Sequence, residues 1–299
     1  MRLTDPCRSA AIFGMQTVAA ALLTLIVATR AFAADAPSVY KTAIIDGQNN
    51  HDWRSTTPMI KTALEKTGRF QVAVLTSPPT ADAAAWKDFH PRFSDYDLIV
   101  SNFTDFGAKP APAAFLDDLT KHVGDGGGIV IVHAATSGMD NHAEFVRMVG
   151  MGWRDGDRLY LDNDGQTIRQ PKGQGPATAH GRPFRWTVTT WAKDHPICAG
   201  LPRTWVHETD ELWAAPRGPA QEVEILATAV APETKQDGQN EPVLWTVRYG
   251  KGRVFVTLMG HDANAMKCVG FQTTLARGAE WAVSGKVTQL IPKEFPSAD

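Results

Sequence analysis

Residues 124–136 read "GDGGGIVIVHAAT". Gly124 to Gly128 make a tight reversal, and four β-branched residues, Ile129 to Val132, follow without a polar break. Such a run suits a strand buried on both faces, in the middle of a parallel sheet. His133 comes directly after it. The stretch therefore predicts a parallel sheet with a titratable group at its carboxyl edge. A phosphate-cradling loop needs a strand before its glycines and a helix after them. Here the glycines precede the strand, so they read as a turn.

Upstream, Thr42–Asp46 reads as a short buried strand. Thr57 at the N-cap and Pro58 at the first helical position open a helix. Met59, Ile60, Ala63 and Leu64 give it an apolar stripe, and Gly68 closes it. Phe70–Leu75 and Leu98–Ser101 are further strands. Pro112–Val123 is a helix with Phe115, Leu116 and Leu119 inward. Alternation of strand and helix predicts βαβ units with right-handed crossovers. Downstream, Leu159–Asp162 and Gln166–Arg169 flank Asn163-Asp164-Gly165, a hairpin signal. Phe184–Thr189, Val223–Thr228, Val243–Tyr249 and Arg253–Leu258 are strands, the last two joined by a turn in "RYGKGR". A final helix spans Ala263–Ser284 and stops at Gly285. The predicted class is α/β: a doubly wound, mostly parallel sheet with β-hairpin insertions, in a single domain over residues 41–297.

The N-terminus reads as a signal peptide. Arg2 and Arg8 precede a mostly apolar stretch from Ala10 to Ala28, and Ala31-Phe32-Ala33 is an A-x-A cleavage signal. Residues 1–33 are then removed, 34–40 form a leader, and the mature protein is periplasmic or secreted. Losing 1–33 takes three Arg and one Asp from totals of 30 Lys+Arg and 32 Asp+Glu, which leaves a formal charge of about −4. No basic run predicts contact with nucleic acid or an anionic membrane. Roughly 260 mature residues suffice for a substantial core. Cys7 leaves with the signal. The spacing of Cys198 and Cys268 favours neither one disulfide nor two separate buried thiols.

Ligands of open α/β sheets sit at the carboxyl ends of the strands. His51 lies in "GQNNHDW" (47–53), the loop after the first strand. His133 ends "GIVIV", and His261 follows "VFVTLMG". His207, Asp210 and Glu211 cluster before the strand at Val223, and His180 and His195 flank another strand. Single histidines are usually structural; three at strand ends converge on one edge. Imidazoles with carboxylates suit a divalent metal such as Zn²⁺, with His51, His133 and His261 as candidate ligands. No H-x-x-x-H or H-x-H spacing supports a metal, and an acid/base pocket uses the same residues without one. "DNDG" (162–165) lacks the rest of a calcium loop. No G-x-S-x-G nucleophile elbow occurs; His133 stands where the nucleophile would. Asp262 and Asn264 suit capping of the last helix.

"IIDGQNNHDW", "GGGIVIVHAAT", "DHPICAGLP", "DELW", "YGKGRVFVTLMGHD" and "KCVGFQTTLARGAEWAVSGKV", in that order, resemble the ThuA-like (trehalose utilisation) family from about Lys41 to Phe295. The resemblance implies a flavodoxin-like core of the class I glutamine-amidotransferase-like type. It does not imply glutamine hydrolysis, since Cys198 and Cys268 lie outside the elbow. It implies a link to disaccharides, notably trehalose and its 3-keto derivatives. The family's shared polar positions fall on Asn50, His51, His133, Asp210, Glu211, Gly260 and His261, with His180 in a more variable section.

The expected function is hydrolysis or elimination of a (keto-)glycoside. His133, His261, His51 and Glu211 are the catalytic candidates. Asn50, Trp53, Asp210, His180 and Asp262 are the substrate-binding candidates. Trp53, Trp153 and Trp213 suit stacking on sugar rings, or packing. The alternatives are a non-catalytic periplasmic sugar-binding protein and a metal-dependent hydrolase of a non-sugar substrate. The expected partner is a small carbohydrate, with no nucleic acid and no lasting membrane association once the signal is cleaved. A homo-oligomer stays open.

Overall fold

A computed structural model describes residues 39–231 and 239–298. The expected signal peptide and residues 34–38 of the leader lie outside the described residues. In chain order the elements are β1 (Tyr40–Asp46), α1 (Trp53–Glu65), β2 (Phe70–Thr76), β3 (Leu98–Ser101), α2 (Ala113–Gly124), β4 (Gly128–Val132) and α3 (Ala143–Val149). Then follow β5 (Asp157–Leu161), β6 (Thr167–Gln170), β7 (Ala179–His180), β8 (Phe184–Thr190), β9 (Thr204–Asp210), β10 (Trp213–Ala214) and β11 (Arg217–Gly218). The chain closes with β12 (Val223–Val230), β13 (Asn240–Tyr249), β14 (Gly252–Thr257) and α4 (Val269–Ser284).

The sheet runs β2-β1-β3-β4-β14-β13-β12-β8-β9. Its first five strands are parallel. They follow the 2-1-3-4-5 order of flavodoxin-like folds, with β14 in fifth place. β4 is central, and Val130 pairs with Val100 on one side and Phe255 on the other. Its residues alternate between two cores because successive side chains point to opposite faces. Val130 and Val132 join Ile60 and Leu64 of α1 and Phe271 and Leu275 of α4. Ile129 and Ile131 join Leu116 and Leu119 of α2 and Phe145 and Met148 of α3. Both faces are covered, so the run reads as continuously apolar.

From β14 to β9 the sheet is antiparallel. The α/β class holds, and the antiparallel strands continue the main sheet. β5 and β6 form the hairpin expected around "DNDG" and join β13 through Asn240 and Leu161. Asp162 Oδ1 there accepts the N–H of Asp164 and of Gln166, at 2.9 and 2.8 Å, as a turn carboxylate does. β7 and β10 pair separately and set His180 opposite Trp213.

Three local expectations shift. Helix α1 begins at Trp53, so Pro58 lies inside it. The Asp52 carbonyl takes the N–H of Ser55 and Thr56. Thr57 is a tertiary anchor instead of a cap: with Thr56 it accepts from Asn102 Nδ2, at 3.0 Å each. The last helix breaks into a 3-10 turn, Ala265–Lys267, and α4, because Cys268 is extended. β9 and α3 went unpredicted: β9 is polar at its end, and α3 is short. α3 is capped by His142, whose Nδ1 accepts the Phe145 N–H at 3.1 Å. Cys198 and Cys268 are free and buried. Among the described residues no helix is long and apolar enough to cross a membrane.

Helix α4 lies close on the sheet through two glycines. A Cβ on Gly278 would stand 2.1 Å from the Phe255 ring, and one on Gly270 2.3 Å from Trp205. On an exposed helix, Gly→Ala stabilises by about 1 kcal/mol. Here Gly278→Ala is expected to destabilise by roughly 1–3 kcal/mol, because the added methyl overpacks the core. Urea unfolding of the two proteins checks it through the shift in midpoint.

Candidate functional site

The loop after β1 is held by its own side chains. Gly47 has φ +106°, and a Cβ there would stand 2.2 Å from the Ser77 carbonyl, so the turn requires glycine. Gln48 accepts the Thr104 N–H on its carbonyl and the Thr80 N–H on its side chain. Asn49 Nδ2 donates to the Asn102 carbonyl at 3.1 Å, and its Oδ1 accepts the His51 N–H at 2.9 Å. Gln48 and Asn49 are thus braces that set the direction of His51.

His133 sits at the end of β4 with φ +46°. Left-handed backbone is unusual for a residue with a Cβ. It is the sharp strand-to-helix turn of a nucleophile elbow, here carrying imidazole. Its Nδ1 donates to the Leu258 carbonyl at 2.6 Å. A carbonyl only accepts, so Nδ1 holds a hydrogen and Nε2 is left to exchange protons or bind. Nε2 is buried and has no hydrogen-bond partner.

His261 follows β14 after Gly260. The three imidazoles meet edge to face: His51 lies 5.0 Å from His133 and 4.6 Å from His261, centre to centre, and His133 lies 5.4 Å from His261. Glu211 forms the fourth wall. Its carboxylate oxygens lie 3.6 Å from His133 Nε2, 3.7 Å from His261 Nε2 and 3.0 Å from His180 Nδ1. The Trp213 indole N–H donates to it at 3.0 Å.

Asp210 supports this cluster from below and is 1% exposed. Its carboxylate accepts the N–H of Gly260 at 2.7 Å, of His261 at 3.1 Å and of Glu211 at 2.8 Å, and takes His207 Nε2 at 2.7 Å. With its acceptors so engaged, Asp210 is a positioning residue; the sequence reading had it face the ligand.

Protonation follows from this crowding. Burial, then His133 and His261, push His51 down from 6.5 to about 4. Burial works to raise Glu211, but the approach of His133, the Trp213 N–H and the charge of His261 hold it at about 2. Near neutral pH the pocket therefore holds an uncharged His51 beside a carboxylate. Burial also opposes charge on His207, yet Asp210 holds it up at about 9. Asp210 itself is kept low by His207 and the Gly260 N–H, against its own burial.

Donor atoms of His51, Glu211 and His261 all lie within 4.8 Å of one another. Two imidazoles and a carboxylate are a common donor set for Zn²⁺ and similar ions. His51 Nδ1 is buried without a partner, as a ligand nitrogen awaiting its ion would be. This set differs from the expected one by exchanging His133 for Glu211.

The remaining candidates stand outside this cluster of contacts, except His180 against Glu211 and Asp262 near His261. His180 is exposed, and its Nδ1 also approaches the Gly181 carbonyl at 2.9 Å. Asn50 is exposed. Trp53 opens α1 with the Arg54 guanidinium 4.2 Å over its ring. Asp262 Oδ1 caps the 3-10 turn by accepting from Asn264 and Ala265, at 2.8 Å each. Sequence reasoning did not find Asn102, which ties the His51 loop to α1, or the supporting role of His207. Their signal was only a polar residue at a strand end, which turns share.

Removing the Asp210 charge leaves a buried His207 without its partner. Asp210→Asn is expected to lose several kcal/mol of stability, on the order of 3–5. Thermal unfolding of the variant and the parent reads the loss. A lowered His51 pKa means the unfolded chain binds more protons between pH 6.5 and 4, so stability falls as pH drops through that window. Glu211 extends the loss from 4.5 towards 2. Unfolding midpoints across pH 4–7 should slope less in His51→Gln than in the parent; equal slopes would assign the loss to other groups.

No curated protein matches the chain. A chain from Parabacteroides merdae described as ThuA-like is 37% identical and superposes with a TM-score of 0.80, over 87% of this chain and 95% of that one. A second, from Bacteroides uniformis and also described as ThuA-like, is 21% identical with a TM-score of 0.57, over 87% and 96%, and shares the fold. The ThuA model, described as trehalose utilisation, matches residues 41–282, which include all three histidines and Glu211. The chain belongs to the ThuA family.

Proposed function

We propose that the protein is an exported enzyme that cleaves a keto-glycoside by acid–base chemistry on His51, His133, His261 and Glu211. The observation that carries this reading is the meeting of three imidazoles, edge to face, over one carboxylate. The family's link to trehalose utilisation supports a sugar substrate, and the A-x-A signal supports export.

A ketone at C3 of the sugar acidifies the C2–H between it and the anomeric carbon. His133 Nε2 removes that proton and the C–H electron pair forms the C2=C3 double bond of an enolate; its collapse restores the ketone, forms a new double bond between C1 and C2, and breaks the bond from C1 to the glycosidic oxygen. His261, the more open of the pair, delivers a proton to the departing oxygen. The uncharged His51 polarises the ketone, as a neutral imidazole does when its pKa is held low. Glu211 keeps the imidazoles oriented. Addition of water across the new double bond completes hydrolysis; release before that step gives a lyase.

The engaged Nδ1 and open Nε2 of His133 make His133→Ala the sharpest test. Turnover of 3-keto-trehalose and related keto-glycosides is expected to fall by about 10²–10⁴, the usual worth of a positioned acid–base group. His133→Ala and His261→Ala variants as fast as the parent would end the proposal. Tight binding of an unmodified sugar with no turnover of any keto-glycoside would instead make this a sugar-binding protein.

The donor set of His51, Glu211 and His261 supports a second reading, in which a divalent metal takes part. A bound metal would supply Lewis acidity at the ketone oxygen. Elemental analysis of active protein, and the rise in melting temperature on adding Zn²⁺ after chelation, test it. Full activity in metal-free protein, with no thermal shift, removes this reading and leaves the acid–base one.

A further inference from the structure

Beside the histidine pocket lies a cleft of about 380 Å³, lined by Trp153, Arg154, Ala177, Thr178 and Arg217 among others. We propose that it is the subsite for the second sugar ring of the substrate, the ring that departs. This rests on the reading of the histidine pocket as a keto-glycoside site.

Position is the first argument. The Trp153 ring lies 5.4 Å from both His180 and Trp213. Trp213 in turn lies 5.1 Å from His133. Thr178 is two residues before His180, whose Nδ1 meets Glu211. The cleft and the acid–base groups thus share one wall, and a substrate spanning both places the bond between its rings near that wall.

Construction is the second argument. Arg217 is buried and ties together the loops around the cleft, donating to the carbonyls of Pro176 and Gly156, the latter at 2.8 Å. Arg154 is almost fully buried at the side chain, 5% exposed, and donates to the Thr136 and Gly138 carbonyls, at 2.6 and 3.0 Å. It therefore braces the segment just after the His133 elbow. Its Nη1 is buried without an acceptor.

Charge is the third argument. Arg154 faces Asp140 at 3.3 Å, and Asp155 is paired with Lys172 at 2.8 Å. Arg154 and Asp155 each face an opposite charge and the Arg217 donors are taken by carbonyls, which favours a neutral ligand over an anion. The Trp153 indole and the Thr178 hydroxyl, which donates to the Ala215 carbonyl at 2.7 Å and keeps its lone pairs as acceptors, suit a pyranose ring, apolar on its face and hydroxylated at its edge. The volume lies within the range of small-molecule sites, about 300–1,000 Å³.

Ala177→Trp fills the cleft from an exposed loop position. The probes are 3-keto-trehalose and methyl 3-keto-glucoside, which share the reacting ring and differ in the departing group. The ratio of their kcat/KM values, disaccharide over methyl glycoside, is expected to fall at least tenfold in Ala177→Trp. Turnover of the methyl glycoside reports that the variant has folded. A ratio within twofold of the parent overturns the subsite while leaving the chemistry of the histidine pocket standing. If the parent turns over neither compound, the functional reading fails, and calorimetric binding of trehalose decides the cleft separately. Tenfold weaker binding by Ala177→Trp than by the parent retains it as a sugar site; equal binding, or none by the parent, rejects it.

Discussion

The Asp210 carboxylate joins parts of the chain that would otherwise have no reason to meet. It sits at the end of β9, on the far edge of the sheet, and receives the backbone N–H of Gly260 and His261 from beyond β14. It also fixes the N–H of Glu211 and pairs with His207. A buried carboxylate requires this many donors, since an unpaired charge away from water is heavily penalised. The requirement works in both directions: the donors keep Asp210 ionised, and Asp210 keeps His261 and Glu211 in place.

Above that clamp the site is governed by how many charges one small volume tolerates. Three imidazoles in mutual contact cannot all be cations, and burial adds to their repulsion. Burial and its two imidazole neighbours hold His51 uncharged down to about pH 4. Glu211 takes the opposite course and stays anionic to about pH 2. Near neutral pH both groups are therefore deprotonated, and a neutral imidazole stands beside an anion in the same small volume. His133 contributes direction: its strained backbone and its bond to the Leu258 carbonyl leave one nitrogen for the pocket.

The central strands of the parallel half were legible because burial on both faces leaves an unbroken apolar run, and β4 and β3 fall where their residues predict. The meeting of His51, His133 and His261 was legible for a related reason: parallel strands share a carboxyl edge, so residues just past their ends are neighbours. Errors collected where tertiary contacts outweigh local preference. Thr57 and Pro58 look like a helix start, yet Asn102 recruits the Thr57 hydroxyl and the helix begins earlier. The His207–Glu211 segment looks like a polar loop, yet it holds the end of an edge strand whose Asp210 is buried by pairing with distant backbone.

Sequence alone determined the α/β class, the family resemblance and the three histidines at strand ends, because each depends on local pattern or on one rule of sheet topology. Only the tertiary structure decided which carboxylate faces those histidines and which lies beneath them. Asp210 and Glu211 are adjacent in the chain and alike in chemistry. One turns under the sheet to backbone donors and the other into the pocket, and that choice is set by contacts some fifty residues away, at Gly260 and His261.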